Sequence, residues 1–103
     1  MVQCRPVSRE MFRDPIVVRL DPPLDFHQAR KAAVEKALAR SNDPMLLAWY
    51  DRKAGTFFPR VECCGEEKPA WLVYAESRGA NIVVTINHEE YVFAFMDLDK
   101  FME

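Results

Sequence analysis

Two segments of the chain are apolar at successive positions, and they limit the possible folds more than any other feature. Residues 45–50 read MLLAWY and residues 91–96 read YVFAFM. Each has the length of a β-strand, in which neighbouring side chains point to opposite faces of the sheet. An antiparallel sheet with one face in water alternates apolar and polar residues instead. The sequence therefore predicts a sheet that needs cover on both faces.

Two further segments carry strand signals. Residues 16–20, IVVRL, form a short β-branched run bounded by turn residues, which is typical of a strand. Residues 82–86, IVVTI, place three aliphatic side chains on one face and are followed by a polar turn at residues 87–90. The apolar run of residues 91–96 comes next, so this part of the chain predicts a β-hairpin.

The other apolar run opens a second hairpin. After residue 51 the short loop of residues 52–55 ends in Gly55, a residue suited to the left-handed backbone of a tight turn. The sequence TFFPRVE follows and predicts the returning strand. Pro59 cannot donate a hydrogen bond to a ladder, so we expect this strand at an edge of the sheet or with a bulge at the proline.

One long amphipathic helix is predicted between these strands. Asp25 is a plausible N-cap, and Gln28 three residues later completes the spacing of a capping box. The helix is expected to end near Arg40 or Ser41, before the sequence Asn-Asp-Pro. Its apolar stripe recurs at three- and four-residue steps and consists of Phe26, Ala29, Ala33 and Ala37.

A second, shorter helix is predicted after Pro69. Proline suits the first helical position because its missing N–H would be unpaired there anyway. Gly79 stands where a helix of this length would end. A strand through residues 70–75 is the alternative, because the run is short and apolar. In the helical interpretation the buried stripe consists of Trp71, Leu72 and Ala75.

These elements predict an α+β fold. The order is strand, helix, hairpin, helix, hairpin, which gives a two-layer sandwich with a mainly antiparallel sheet of about five strands and two helices on one side. With 103 residues, half of them hydrophobic, the chain suits one domain spanning residues 1–103, in which residues 1–15 are the candidate irregular N-terminal arm.

Charge and apolar runs narrow the class of protein. The net charge is -2, with basic residues in excess before residue 60 and acidic residues in excess after it. This overall balance disfavours nucleic acid as a partner. No apolar run approaches the roughly 20 residues of a membrane span, and the start of the chain lacks the apolar core of a signal peptide. We therefore expect a cytoplasmic protein without a membrane partner.

The surplus of apolar strand surface is the main clue to function. Two helices cover one face of a sheet, and monomers rarely leave a second large apolar face exposed. That face could be covered by residues 1–20, by a second subunit or by a ligand. We expect a homodimer that associates through an apolar sheet face or edge, and a small non-catalytic binding module that needs no cofactor.

Adjacent cysteines supply the chief rival interpretation, a thiol-based redox sensor or a metal-binding protein. Cys63 and Cys64 lie just before a glycine and two glutamates. Neighbouring strand residues point to opposite faces, and the chain has no C-x-x-C pair, so a zinc site is disfavoured. Nearby glutamates raise the pKa of a thiol and reduce its reactivity. Buried structural cysteines are therefore the preferred interpretation.

Aromatic and basic residues supply the remaining candidates. An aromatic pocket for a small molecule could form near Trp49, Trp71 and Phe93. The first predicted hairpin also combines rings with cations, an arrangement that single-stranded nucleic acid can use, although the same residues serve equally well as core and as a soluble hairpin tip. The residues expected to contact a ligand or a partner subunit are Trp49, Tyr50, Arg52, Phe58, Trp71 and Phe93.

Three phrases of the sequence point to a family. AWYDRKAGTFFPRVECC, WLVYAESRG and INHEEYVFAF together resemble a family of short bacterial proteins known only as a domain of unknown function. The resemblance covers roughly residues 44–97. It implies no activity, no cofactor and no catalytic residue, and it favours a stand-alone bacterial protein of the cytoplasm.

Overall fold

A computed structural model of the protein describes residue 7 and residues 9–22, 24–60 and 69–98. These residues form five strands, two α-helices and one short 3-10 turn at Arg9–Met11. The α+β class, the mainly antiparallel sheet of five strands and the order of the elements are confirmed. The strands are β1 Ile16–Val18, β2 Pro44–Asp51, β3 Thr56–Phe58, β4 Ile82–Ile86 and β5 Tyr91–Asp97, and the helices are α1 Phe26–Leu38 and α2 Ala70–Ser77.

The strands lie in the order β1-β4-β5-β2-β3. β1 runs parallel to β4, whereas the other neighbouring pairs are antiparallel. The two fully apolar segments, β2 and β5, are adjacent and interior, which explains why neither alternates with polar residues. A bulge between Leu46 and Ala48 shifts their register, so Leu47 and Ala48 both contribute to one core cluster.

Helix α1 begins at the predicted capping box. The Asp25 carboxylate accepts a hydrogen bond from the Gln28 amide at 2.8 Å, and the Gln28 side chain accepts one from the Asp25 amide at 3.1 Å. Three buried alanines line the side of α1 that meets the sheet, and their small side chains let the helix axis approach the strands closely. The alanines are Ala29, Ala33 and Ala37, as the sequence predicted.

Helix α2 forms, and the alternative strand does not. It begins at Ala70, and Pro69 is its extended N-cap rather than its first helical residue. Gly79 follows the last turn with a φ of 95°. The amide of Ala80 donates to the Ala75 carbonyl at 3.0 Å and the amide of Gly79 donates to the Glu76 carbonyl at 3.1 Å, which is the Schellman end of a helix.

The helices cover opposite faces of the sheet, in contrast to the predicted packing of both on one side. α1 packs on the face that contains Val84 and Phe93, and α2 packs on the face that contains Val92 and Ala94. The N-terminal segment, described at residue 7 and residues 9–15, packs on the second face beside α2. Its buried contributions are Val7, Met11 and Phe12. Of the three candidates for covering that face, the N-terminal segment packs on it together with α2.

Candidate functional site

The sheet remains partly uncovered at one corner, beside β3. Helix α1 packs across β4, β5 and β2, and β3 lies beyond them at the edge of the sheet. On this side of the sheet the ring of Phe26 meets the ring of Trp49 edge to face, with centroids 4.7 Å apart. The ring of Phe58 stacks on Trp49 at 6.3 Å, and Phe58 is 49% exposed. Three aromatic rings thus form a continuous row from the helix to the edge strand.

Further apolar side chains lie along the same side of α1, beyond the exposed Arg30. Val34 and Leu46 are half-buried and pack against the core cluster beneath α1. Leu38 follows Val34 by four residues, one helical turn, and is 51% exposed. We call this surface the aromatic corner, and it consists of Phe26, Val34, Leu38, Leu46, Trp49 and Phe58.

The rings of the corner stand on rigid support. Phe26 lies 5.5 Å from the ring of Phe93 and 6.4 Å from that of Tyr91, both of which are buried in β5. Burial, followed by the nearby carboxylates of Asp51, Glu90 and Asp25, raises the pKa of the Tyr91 phenol. The phenol therefore stays neutral in the folded protein at ordinary pH.

Charge is distributed unevenly along α1. The N-cap is Asp25, whereas Lys36 lies in the last turn and Arg40 follows the helix end. These three side chains are exposed. The acidic end and the basic end thus flank the apolar stripe of the corner. This arrangement also matches the helix dipole, which favours negative charge at the N-terminus and positive charge at the C-terminus.

The predicted aromatic pocket does not come together. Trp49 and Phe93 lie on the face under α1, whereas Trp71 lies on the opposite face under α2. Trp71 is buried and stacks on Tyr50, with centroids 5.6 Å apart and planes within 5° of parallel. Phe93 is fully buried between helix and sheet. Among the predicted ligand or interface residues, Trp49 and Phe58 are the two that lie in the corner.

Arg52 lies at the tip of the β2–β3 hairpin, where its side chain contacts two other segments of the chain. Its guanidinium donates to the Val7 carbonyl at 2.7 Å and to the Glu89 carbonyl at 3.2 Å, and it lies 5.8 Å from the centre of the Tyr50 ring. These contacts tie the N-terminal segment and the β4–β5 turn to the β2–β3 hairpin. Arg52 is thus a cross-link between three segments rather than a member of the corner.

The proposed thiol site, Cys63 and Cys64, lies outside the residues that the structure describes. Within the described ranges, no group of three or more histidine, cysteine, aspartate or glutamate side chains could hold a metal ion. The search for membrane-spanning helices covered the same ranges and found none of sufficient length and apolar character.

Four residues of the corner were not predicted as site residues, namely Phe26, Val34, Leu38 and Leu46. The sequence placed Phe26 in the buried stripe of α1, where it does pack, but it also reaches the edge of the corner. The usable signal was the four-residue spacing from Val34 to Leu38, which continues an apolar stripe beyond the alanines. The sequence alone does not show how far α1 extends over the sheet, and this determines which side chains stay exposed.

Comparison with known proteins gives a consistent result. The family described as a domain of unknown function, DUF5619, matches residues 14–95. An uncharacterised protein of Archaeoglobus fulgidus is 40% identical over 80 residues, which cover 78% of this chain and 85% of that protein. This relative is archaeal, whereas the resemblance of the three sequence stretches led us to expect a family of bacterial proteins.

A solved structure shares the fold. The crystal structure of the protein AF1514 from Archaeoglobus fulgidus superposes with a TM-score of 0.71 and 35% sequence identity, over 84% of this chain and 95% of that one. Both relatives are matched over most of their length, so the similarity is that of whole domains. The chain therefore belongs to the family of the domain of unknown function DUF5619.

Proposed function

We propose that this domain is a non-catalytic interaction module that forms a homodimer through the aromatic corner. The observation that carries the proposal is the row of three aromatic rings from Phe26 through Trp49 to the half-exposed Phe58, with the exposed Leu38 on the same side of α1. Large exposed apolar patches on soluble domains commonly mark interaction surfaces. Most of the remaining sheet surface is covered by α1, α2 and the N-terminal segment.

The rings of the corner are suited to binding because they are already ordered. Phe26 and Trp49 are held by contacts with each other and, for Phe26, with the buried ring of Phe93. Ordered aromatic anchors lose little side-chain entropy when a partner packs on them. The corner therefore offers apolar area at a small ordering cost.

The charges along α1 favour a second copy of the chain as the partner. A twofold axis perpendicular to α1 sets two α1 helices side by side and antiparallel. That arrangement brings the acidic N-cap of each copy, Asp25, towards the basic end of the other copy's α1, which Arg40 follows, so that opposite charges meet at both ends of the interface. Electrostatic complementarity of this kind fixes orientation and register more than it adds affinity.

Association through strand addition is disfavoured by the two sheet edges. β1 and β3 are each three residues long. Pro59 directly follows β3 and has no N–H to donate to a neighbouring strand. Short edges and proline are common protections against edge-to-edge pairing. The proposal therefore uses side chains at the corner rather than backbone at an edge.

Size-exclusion chromatography with light scattering tests the proposal. We expect the wild-type chain to be a dimer at tens of micromolar, a concentration at which interfaces of micromolar affinity are populated. Phe58→Ser should shift it to a monomer. The matched control is Val17→Ser, because Val17 is 51% exposed on the other edge strand and on the opposite face of the sheet. A monomeric wild type, or equal effects of the two variants, would contradict the proposal.

Charge reversal tests the antiparallel arrangement. Arg40→Glu would bring like charges together at both ends of the interface and should raise the dimer dissociation constant by roughly tenfold. Arg78→Glu is the control, since the exposed Arg78 follows α2 on the opposite face of the sheet. If Arg40→Glu leaves a dimer unchanged while Phe58→Ser dissociates it, the corner is the interface but the orientation is wrong.

A further inference from the structure

A separate cavity lies on the other side of the molecule, between the N-terminal segment and the end of α2. It has a volume of about 340 Å³, which is at the small end of the range for ligand sites. The lining residues are Phe12, Arg13, Glu76, Ala80, Asn81 and Val83. The cavity shares no residue with the aromatic corner, so it is independent of the proposed dimer.

The floor of the cavity is apolar and belongs to the core. Phe12 is buried in the cluster beneath α2, and Ala80 and Val83 pack against the same cluster. A floor made of core residues is unlike a crevice between mobile surface side chains, because its shape is maintained by the packing of the sheet. It offers an apolar ligand group a surface that is already formed.

The wall at Asn81 is held by backbone hydrogen bonds. The Schellman end of α2 directs the chain through Gly79 and Ala80 into β4. The Asn81 amide donates to the Phe95 carbonyl at 3.0 Å, and its side-chain oxygen accepts from the Asp97 amide at 3.1 Å. Because this oxygen already accepts a hydrogen bond, the carboxamide can offer a ligand its two N–H donors.

Charges of both signs complete the lining. Arg13 offers a guanidinium fork, the side-chain group that best matches a carboxylate. Glu76 offers a carboxylate, which makes an interaction of its own and, with about four lone-pair sites, can accept a further hydrogen bond. A cation, an amide donor and an anion thus surround one apolar floor.

We propose that this cavity binds a small zwitterion with an apolar side chain, namely an apolar α-amino acid. Its carboxylate pairs with Arg13 and accepts from the carboxamide of Asn81. Its ammonium group donates to Glu76. The side chain packs on Phe12, Ala80 and Val83. A fatty acid pairs only with Arg13, and an amine pairs only with Glu76. An amino acid pairs with both charged side chains of the lining.

Titration of the full chain with L-leucine tests the proposal, with backbone amide shifts followed by NMR. We expect saturable shifts at Ala80, Asn81 and Val83, with an affinity in the millimolar range or tighter. 3-Methylbutylamine, which lacks the carboxylate, should bind at least tenfold more weakly than leucine. The absence of saturable shifts with leucine, or equal binding of the amine, would overturn the proposal.

Variants assign the two charged contacts. Arg13→Ala should weaken leucine binding at least tenfold, and Arg13→Lys, which keeps the charge but not the fork, should weaken it several-fold. Glu76→Gln should remove the preference for leucine over 4-methylpentanoate, which lacks the ammonium group. Arg30→Ala is the control, since Arg30 is an exposed arginine of α1. Unchanged leucine binding in both Arg13 variants would overturn the proposal.

Discussion

The carboxamide of Asn87 hydrogen-bonds both backbone groups of Leu20, a residue 67 positions earlier in the chain. Its oxygen accepts from the Leu20 amide at 2.9 Å, and its nitrogen donates to the Leu20 carbonyl at 3.0 Å. The Asn87 amide also donates to the Val18 carbonyl at 3.0 Å. The turn between β4 and β5 thereby holds the end of β1, the edge strand that runs parallel to β4.

The same turn contains three successive residues with left-handed backbone, namely Asn87, His88 and Glu89, with φ values of 51°, 56° and 63°. We expect Asn87→Gly to lower the free energy of unfolding by about 2 kcal/mol, because it removes two side-chain hydrogen bonds. Glu89→Gly should raise the free energy of unfolding by about 0.5 kcal/mol. Glycine removes the steric strain of the left-handed backbone, and this gain exceeds the cost of the conformational entropy that glycine adds to the unfolded chain. Urea unfolding measures both, and equal signs for the two variants would refute this account.

We predict that the buried hydroxyl of Thr85 lowers the free energy of unfolding. Its side chain is fully buried, and its hydroxyl has no hydrogen-bond partner within the described part of the chain. We expect Thr85→Val, which keeps the shape and removes the unpaired group, to raise the free energy of unfolding by about 1 kcal/mol. Thr56→Val, at a half-exposed position on β3, should change it little. Destabilisation by Thr85→Val would mean that the hydroxyl is hydrogen-bonded.

Tyr91 is predicted to make the protein sensitive to alkaline pH. Burial, then Asp51, Glu90 and Asp25, raises the pKa of its phenol above the ordinary value. The unfolded chain therefore loses this proton first, so the stabilisation is complete below about pH 10 and is lost as pH rises through the higher folded value. Tyr91→Phe should show a shallower loss of stability above pH 10 than the wild type. An identical slope would contradict the assignment.

Helix α1 lies so close to the sheet that we predict no room for a larger side chain at the centre of the helix. Ala33 is fully buried between α1 and the strands. We expect Ala33→Leu to lower the free energy of unfolding by about 1–3 kcal/mol, because the core has no room for three added carbons. Ala32→Leu, one residue along and half-buried, is the matched control and should have a small effect. Thermal or urea unfolding compares the pair.

Much of the fold follows from patterns a few residues long. Asp25 and Gln28 form the predicted capping box because the hydrogen bonds involved join residues three apart. The turn at residues 87–90 follows from a polar stretch between two apolar runs. Even the separation of Trp49 from Tyr50 onto opposite faces follows from the alternation of a strand.

The sequence by itself thus determined most of the elements and their order, since neighbouring residues decide these through capping, turns and periodicity, but it left residues 70–75 open between helix and strand. Only the tertiary structure decided that α2 lies opposite α1, that Trp71 meets Tyr50 rather than Trp49, and that Phe58 stays half-exposed. β3 and β4 run antiparallel, so the connection through α2 has no preferred handedness and can reach either face of the sheet. The choice depends on which face the whole chain covers best, and that energy is spread over residues from Val7 to Met96.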